Sequence, residues 1–271
     1  MQFSMRKDEF LSSPNVMGFI SWIEPLLDTP QSLSHTYIKK KGKRKYEFDN
    51  LYSAYKQYDW PPSIDAFSAD LAKGIATSNE SICESACHRI LEWGGVTRGN
   101  KERVSRLKPD LCAYLRNVRD RMTMDLPSTE YFTKTIQMTS GFSKIYSAYI
   151  DDYMIYDSRV GAALGLLVRN YCESNGFPSV PKELSFIWIK GLEGQSASLT
   201  FNRRNPSRDS YVFPQLLNNP KIYFENNIRA NWLMSTVAKT TRSKFGTVEQ
   251  SNSLTALEQS LFMIGYDVSD L

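Results

Sequence analysis

The chain has only two histidines, His35 and His88, among 271 residues. That excludes multi-histidine metal centres, because any zinc site would have to draw on cysteine or carboxylate. It also leaves little room for Ser-His-Asp chemistry. The pattern around them puts His88 inside a helix and His35 in a polar loop. Four cysteines, Cys83, Cys87, Cys112 and Cys172, are too few for a disulfide framework in a chain of this size and fit reduced thiols in a cytoplasm. Cys83, Cys87 and His88 fall within about one helical turn. Three ligands without an evident fourth fit core filling better than a metal site, so neither metal nor cofactor is expected. Long apolar runs are missing as well. Val160 to Val168 is about half a membrane span, so no helix is expected to cross a bilayer. The N-terminal MQFSMRKDEF lacks the apolar run of a signal peptide, which argues against export. Strand signals are scarce, and there is no fixed-period repeat, low-complexity linker or heptad seam.

What is present is a helical pattern on a composition able to build a core, with 41% hydrophobic and 13% aromatic residues. Ser63 can cap a segment through Ile64, Phe67 and Leu71 to Gly74. Asn79 precedes Ile82, Cys83, Ala86, Ile90 and Trp93, with Gly94-Gly95 as a stop. After Pro109, Leu111, Leu115, Val118 and Met122 form an amphipathic stripe. Ser128 opens a segment with Tyr131, Phe132 and Ile136. The clearest helix spans residues 158–175: Val160, Ala163, Leu164, Leu167, Val168 and Tyr171 share one face, and Gly176 ends it. Asn219-Pro220 starts another helix, and Thr255 with Glu258 forms a capping box for the last one. Residues 184–189 (LSFIWI) suit a short strand or a buried helical turn, and 191–211 a long loop. The expectation is a mainly α fold with few or no strands. Its parts are an N-terminal helical segment with a basic loop (1–62), a helical core (63–190), and a long loop with C-terminal helices packing on that core (191–271).

Net charge is modest at +4, but its distribution is uneven. Lys39, Lys40, Lys41, Lys43, Arg44 and Lys45 put six cations in seven residues. Smaller groups follow at Arg98 to Lys108, at Arg116, Arg119 and Arg121, at Arg203, Arg204 and Arg208, and at Lys239, Arg242 and Lys244. Clustered cations mark a polyanion binder, because each neutralised phosphate releases counterions. Solvated surface is the alternative for any single cluster.

One stretch carries chemistry, from Thr139-Ser140-Gly141-Phe142-Ser143-Lys144 to Ile155-Tyr156-Asp157-Ser158-Arg159-Val160. Residues 139–144 read as helix, tight turn, helix, and the N-terminus of the second helix offers backbone N–H groups to a phosphate. Asp157 stands at the head of the 158–175 helix, where a carboxylate caps.

Lys144 followed by Ile155-Tyr156-Asp157-Ser158-Arg159-Val160 resembles the helix-hairpin-helix DNA glycosylase superfamily, particularly its 8-oxoguanine glycosylase-like branch. The resemblance covers residues 130–175. The hairpin here carries one glycine, Gly141, and the Lys-to-Asp spacing of 13 is shorter than usual in that superfamily. The resemblance implies a helical bundle whose hairpin (Gly141, Ser143) grips DNA. It makes Asp157 and Lys144 the catalytic pair, with Lys144 either a Schiff-base nucleophile or a backbone contact. It thereby implies a DNA glycosylase, with or without AP-lyase activity, that flips a damaged or modified base out of duplex DNA and cleaves its N-glycosidic bond. Oxidised guanine and bulky modified cytosines met in anti-phage defence are the substrates it suggests. Arg159 and the run at Lys39, Lys40, Lys41, Lys43 and Arg44 join the DNA contacts. Trp93 and Tyr156 are candidates to line the base pocket, beside Tyr146, Tyr149 and Tyr153. Lys144 and Asp157 are expected to face one cleft open to solvent, in a cytoplasmic monomer whose partner is duplex DNA. Two other readings stay open: a non-catalytic helix-hairpin-helix DNA-binding protein in which Asp157 only caps, and a helical scaffold with basic surfaces.

Overall fold

The computed structural model describes residues 5–39, 43–60, 64–123, 125, 132–191, 202–240, 243–248 and 253–269. Lys40, Lys41, Ser63, Ser128, Tyr131 and Arg242, and residues 192–201 of the expected long loop, lie outside them. Among the described residues are α1 (Lys7–Ser12), α2 (Pro14–Ile23), β1 (His35–Lys39), β2 (Arg44–Phe48), α3 (Leu51–Lys56), α4 (Asp65–Ala76), α5 (Glu80–Trp93), α6 (Asn100–Leu107), α7 (Leu111–Met122), α8 (Ser140–Ser147), α9 (Ser158–Ser174), α10 (Pro220–Thr240) and α11 (Ser253–Ile264). The protein is mainly helical, and no described helix is long and apolar enough to cross a membrane.

Local chemistry sets several of these boundaries. Asn79 accepts a bond from the Ile82 N–H at 3.0 Å and starts α5, while Gly95 at φ 63° turns the chain after it. Leu111, Leu115, Val118 and Met122 form the buried stripe of α7. Gly176 at φ 65° follows α9.

Other boundaries differ from the sequence reading, each for a tertiary reason. Gly74 does not end α4, because it is a packing residue: a Cβ there would lie 2.8 Å from the Cys83 nitrogen of α5. Thr255 and Glu258 stand inside α11, which already begins at Ser253, so they form no capping box. The 184–189 stretch is neither a strand nor a turn of α-helix: it starts at the last residue of a 3₁₀ turn (Lys182–Leu184) and makes one parallel bridge, Trp188 to Gln215.

The main departure is an antiparallel hairpin, with His35 opposite Phe48 and Lys39 opposite Arg44. Its inward positions His35, Tyr37, Tyr46 and Phe48 are buried and its outward ones exposed, the period-two pattern of a half-buried strand. The intervening charge run hides that alternation. His35 is therefore a buried strand residue whose Nε2 donates to the Ile264 carbonyl at 2.9 Å, and it does not stand in a polar loop.

The chain forms two compact units. The first is chiefly Asp59–Ile155 with Pro220–Ile228, and the second is Lys7–Tyr58, Tyr156–Asn219 and Arg229–Leu271, so the divide falls within α10. In the first unit α4, α6, α7 and α8 pack against α5. All four cysteines are buried; Cys83 and Cys112 bring their sulfurs within 2.9 Å between α5 and α7, and burial raises the pKa of both thiols. Among the described residues no three His, Cys, Asp or Glu side chains are grouped to hold a metal ion. In the second unit α9 is buried along nearly its whole length and packs against α2 and α11. Phe19, Trp22, Tyr171 and Phe177 form an aromatic cluster on it, in which the wholly buried Phe19 is worth about 1.5–3 kcal/mol.

Candidate functional site

Lys144 belongs to the first unit and Asp157 to the second. The Thr139 hydroxyl caps α8 by accepting the Phe142 N–H at 3.1 Å, and itself donates to Asn100 Oδ1 at 3.0 Å. Gly141, Ser143 and Lys144 thus lie inside the first turns of α8 and not in a tight turn before it. The Ser143 N–H is already bonded to the Thr139 carbonyl at 2.8 Å, so the amides expected to meet a phosphate are partly in use within the helix. Gly141 serves packing here: a Cβ would come within 2.6 Å of Asn100 Nδ2 and 2.8 Å of Leu91.

Ser143, the residue before Lys144, enters a buried polar network. Asn227 Oδ1 accepts from the Ser143 hydroxyl at 3.1 Å and from the Tyr153 hydroxyl at 2.6 Å, while its Nδ2 donates to the Met154 carbonyl at 3.2 Å. Asn227 is fully buried. Lys144 is only 5% exposed, where a solvent-open amine was expected. Its stem lies across Gly94, at which a Cβ would meet Cδ at 2.5 Å and Cε at 2.9 Å.

Trp93 ends α5 half-buried, and its carbonyl accepts the indole N–H of Trp60 at 3.3 Å. The neighbouring tyrosines are structural. Tyr146 donates to the Gln137 carbonyl at 2.6 Å and its hydroxyl lies 2.7 Å from that of Tyr114; Tyr149 donates to the Leu115 carbonyl. Burial pushes the Tyr114 hydroxyl up to about 12 and that of Tyr146 well above its ordinary range, so both stay protonated.

In the second unit Asp157 caps α9 with one oxygen: Oδ1 accepts the N–H of Arg159 at 2.9 Å and of Val160 at 3.2 Å. The residue is 9% exposed, so its carboxylate too is buried and not open to solvent. Tyr156 is wholly buried, its hydroxyl donating to the Ile187 carbonyl at 2.6 Å, a core role and not that of an open stacking surface.

Arg159 is also buried, its guanidinium 4.1 Å from the Phe262 ring centre and 5.1 Å from that of Tyr266. Arg203 and Arg204 join it, 4.1 and 5.3 Å from the Tyr266 ring. These three cations are core groups, and the sequence reading of 203–204 as a basic surface is corrected. Arg203 also accepts the Val268 N–H on its backbone carbonyl at 2.8 Å, and Arg204 donates to the Gly265 carbonyl. Aromatic faces, and for Arg204 a backbone carbonyl, offset part of the loss of water around these guanidiniums. Elsewhere the charge is also partly matched, with Lys101 on Glu92 at 2.5 Å and Lys108 on Glu84 at 2.7 Å.

Lys43, Arg44 and Lys45 remain exposed, with Lys39 half-buried at the end of β1. Sequence reasoning missed Asn227, Trp60 and Tyr266. Only for Asn227 was there a signal, an asparagine pair (Asn226-Asn227) between Phe224 and Ile228 of the helical stripe. No protein-family model, curated protein or solved structure matches the chain.

Proposed function

We propose that the chain is a DNA glycosylase that extrudes a damaged or modified base and cleaves its N-glycosidic bond, in DNA repair or anti-phage defence. The observation that supports it most is the carboxylate of Asp157, fixed by two backbone N–H bonds at the head of a buried helix, in the Ile-Tyr-Asp-Ser-Arg-Val context. Bond cleavage leaves positive charge on the deoxyribose, and a carboxylate that needs no reorganisation stabilises that charge as it forms. Lys144 has two roles open to it in this reading: an amine that attacks the sugar carbon, which requires its neutral form, or a contact to the DNA backbone. The exposed cations of the β1–β2 hairpin supply phosphate contacts in this reading.

The cap itself favours a second reading. An aspartate whose Oδ1 serves two backbone amides is sufficiently explained by helix capping, as in a non-catalytic DNA-binding protein.

Incubation with duplexes carrying oxidised guanine, glucosylated hydroxymethylcytosine or no modification, followed by alkali, separates the two. Strand breaks in a modified duplex, lost in Asp157→Asn, support the enzyme. Binding without breaks in any duplex leaves the cap. Borohydride trapping of a covalent adduct, absent in Lys144→Gln, would make Lys144 the nucleophile.

A further inference from the structure

The basic run is carried by an element that the sequence did not announce. A lone two-stranded hairpin is marginal in water, yet this one has a continuous base of stacked rings. Arg44 lies 4.6 Å over Tyr46; Tyr46 stacks on Tyr37 at 5.2 Å and 25°; Tyr37 stacks on Tyr266 at 4.8 Å and 25°. Tyr266 is in turn surrounded by Arg159, Arg203 and Arg204. Because Arg159 stands two residues after Asp157, the ladder joins the hairpin to the head of α9 within one unit.

The hairpin's other face is unlike its base. Thr36, Ile38, Lys45 and Glu47 are all exposed, Ile38 to 60% and directly opposite Lys45. Lys45 pairs with Glu47 at 2.6 Å, the one carboxylate on either strand, and Lys43 and Arg44 extend the positive charge toward the tip. Lys43 turns the chain into β2 with a left-handed backbone, φ 51°.

We propose that the β1–β2 hairpin is a docking surface for the backbone of double-stranded DNA, and that Tyr266 is the positioning residue that holds it. The charge excess calls for a polyanion, and a two-stranded ribbon has the width that a DNA major groove admits. A ribbon stacked on a fixed ring presents its cations already ordered, so less side-chain and backbone freedom is lost on binding than in a loose loop. The inference rests on the nucleic-acid part of the reading above and is independent of base excision.

Anisotropy of a labelled, unmodified DNA duplex is measured against the full chain over a range of salt. The exposed triple variant Lys43→Gln/Arg44→Gln/Lys45→Gln should flatten the slope of log affinity against log salt by about three units. Tyr266→Phe, which keeps the ring, should bind as the parent does. Tyr266→Leu and Tyr37→Leu, which break the ladder at two places, should each flatten the slope towards that of the triple variant. An unchanged slope in the triple variant overturns the docking surface, and a parental slope in folded Tyr266→Leu and Tyr37→Leu overturns the positioning role. Equal tip-dependent binding of duplex RNA or of phosphatidylserine vesicles overturns the assignment to DNA. Base release combined with an unchanged slope sinks this proposal alone, whereas tip-dependent duplex binding without base release sinks the glycosylase reading alone.

Discussion

The two helices that carry the candidate chemistry begin in different ways. The cap of α8 is a neutral hydroxyl, Thr139; the stem of its lysine packs on Gly94, and the preceding Ser143 joins a network centred on Asn227. The cap of α9 is a carboxylate, Asp157, with its helix fixed from outside by the Gly265 end of α11. Both caps satisfy backbone amides, but only one brings a formal charge into a buried position. Capping alone is served about as well by Ser or Asn as by Asp. The charge at Asp157 is more than capping alone requires.

Replacing that charge while keeping the cap gives the largest expected effect. Asp157→Asn should change stability by no more than about 1 kcal/mol. Under the proposed activity the rate of base release should drop a hundredfold or more, since losing an electrostatic stabiliser commonly costs roughly 3–4 kcal/mol in the barrier. Melting and single-turnover release on one preparation decide it. Release within about threefold of the parent would leave Asp157 a cap, as that small a change is under 1 kcal/mol.

The glycines sharpen the same contrast. A Cβ at Gly265 would overlap the Arg159 carbonyl oxygen and lie 2.6 Å from its carbon, so backbone must move. Gly265→Ala should therefore destabilise the protein by about 2–3 kcal/mol and disturb the head of α9. At Gly94 the Cβ meets the stem of Lys144 and, at 3.3 Å, the Val96 side chain, and the closest of these atoms belong to a flexible side chain that can swing. Gly94→Ala should cost under about 1 kcal/mol while displacing the amine. Denaturant midpoints rank the two, and equal losses would mean that Lys144 is held as rigidly as backbone.

Asn227→Leu comes next in size. It leaves the hydroxyls of Ser143 and Tyr153 without their shared acceptor in a buried site, a loss of about 1–3 kcal/mol. The same substitution should make the amine at Lys144 less well ordered, seen as broader lysine resonances in the folded variant. A Leu variant as stable as the parent would show that the network adds specificity but no stability.

What could be read in the sequence was what local chemistry decides. Asn79 before α5, Asp157 before α9, the stripe of α7 and the glycines after α5 and α9 all act within a turn of where they stand, and each was legible. What failed depended on residues distant in the chain. Gly74 reads as a stop until Cys83 is placed against it. Arg203 and Arg204 read as surface because their aromatic partner, Tyr266, lies some sixty residues on. The hairpin was concealed because its tip is so charged that the alternation of His35, Tyr37, Tyr46 and Phe48 looked like the edges of a loop. In the candidate site, the position of Asp157 was legible and the burial of Lys144 was not, since its stem lies on Gly94, some fifty residues earlier at the end of α5.

The smallest effect concerns His35, in the unit that holds Asp157. Its Nε2 carries the proton that bonds to the Ile264 carbonyl at 2.9 Å, while Nδ1 has no hydrogen-bond partner among the described residues. Protonation would place a second N–H, and a charge, in a site with no acceptor for it. Burial accordingly lowers the pKa of the imidazole from its ordinary 6.5, against the smaller opposing pulls of the Ile264 carbonyl and Asp267. The folded chain thus binds this proton less readily than the unfolded one. The resulting stability is fully present above 6.5 and is lost as pH falls below it toward the folded value. His35→Gln can keep a donor to Ile264 without the titration. Its melting temperature should fall less than that of the parent between about pH 7 and pH 5. Parallel curves would show that His35 takes up its proton without disturbing the end of α11, which packs against the head of the Asp157 helix.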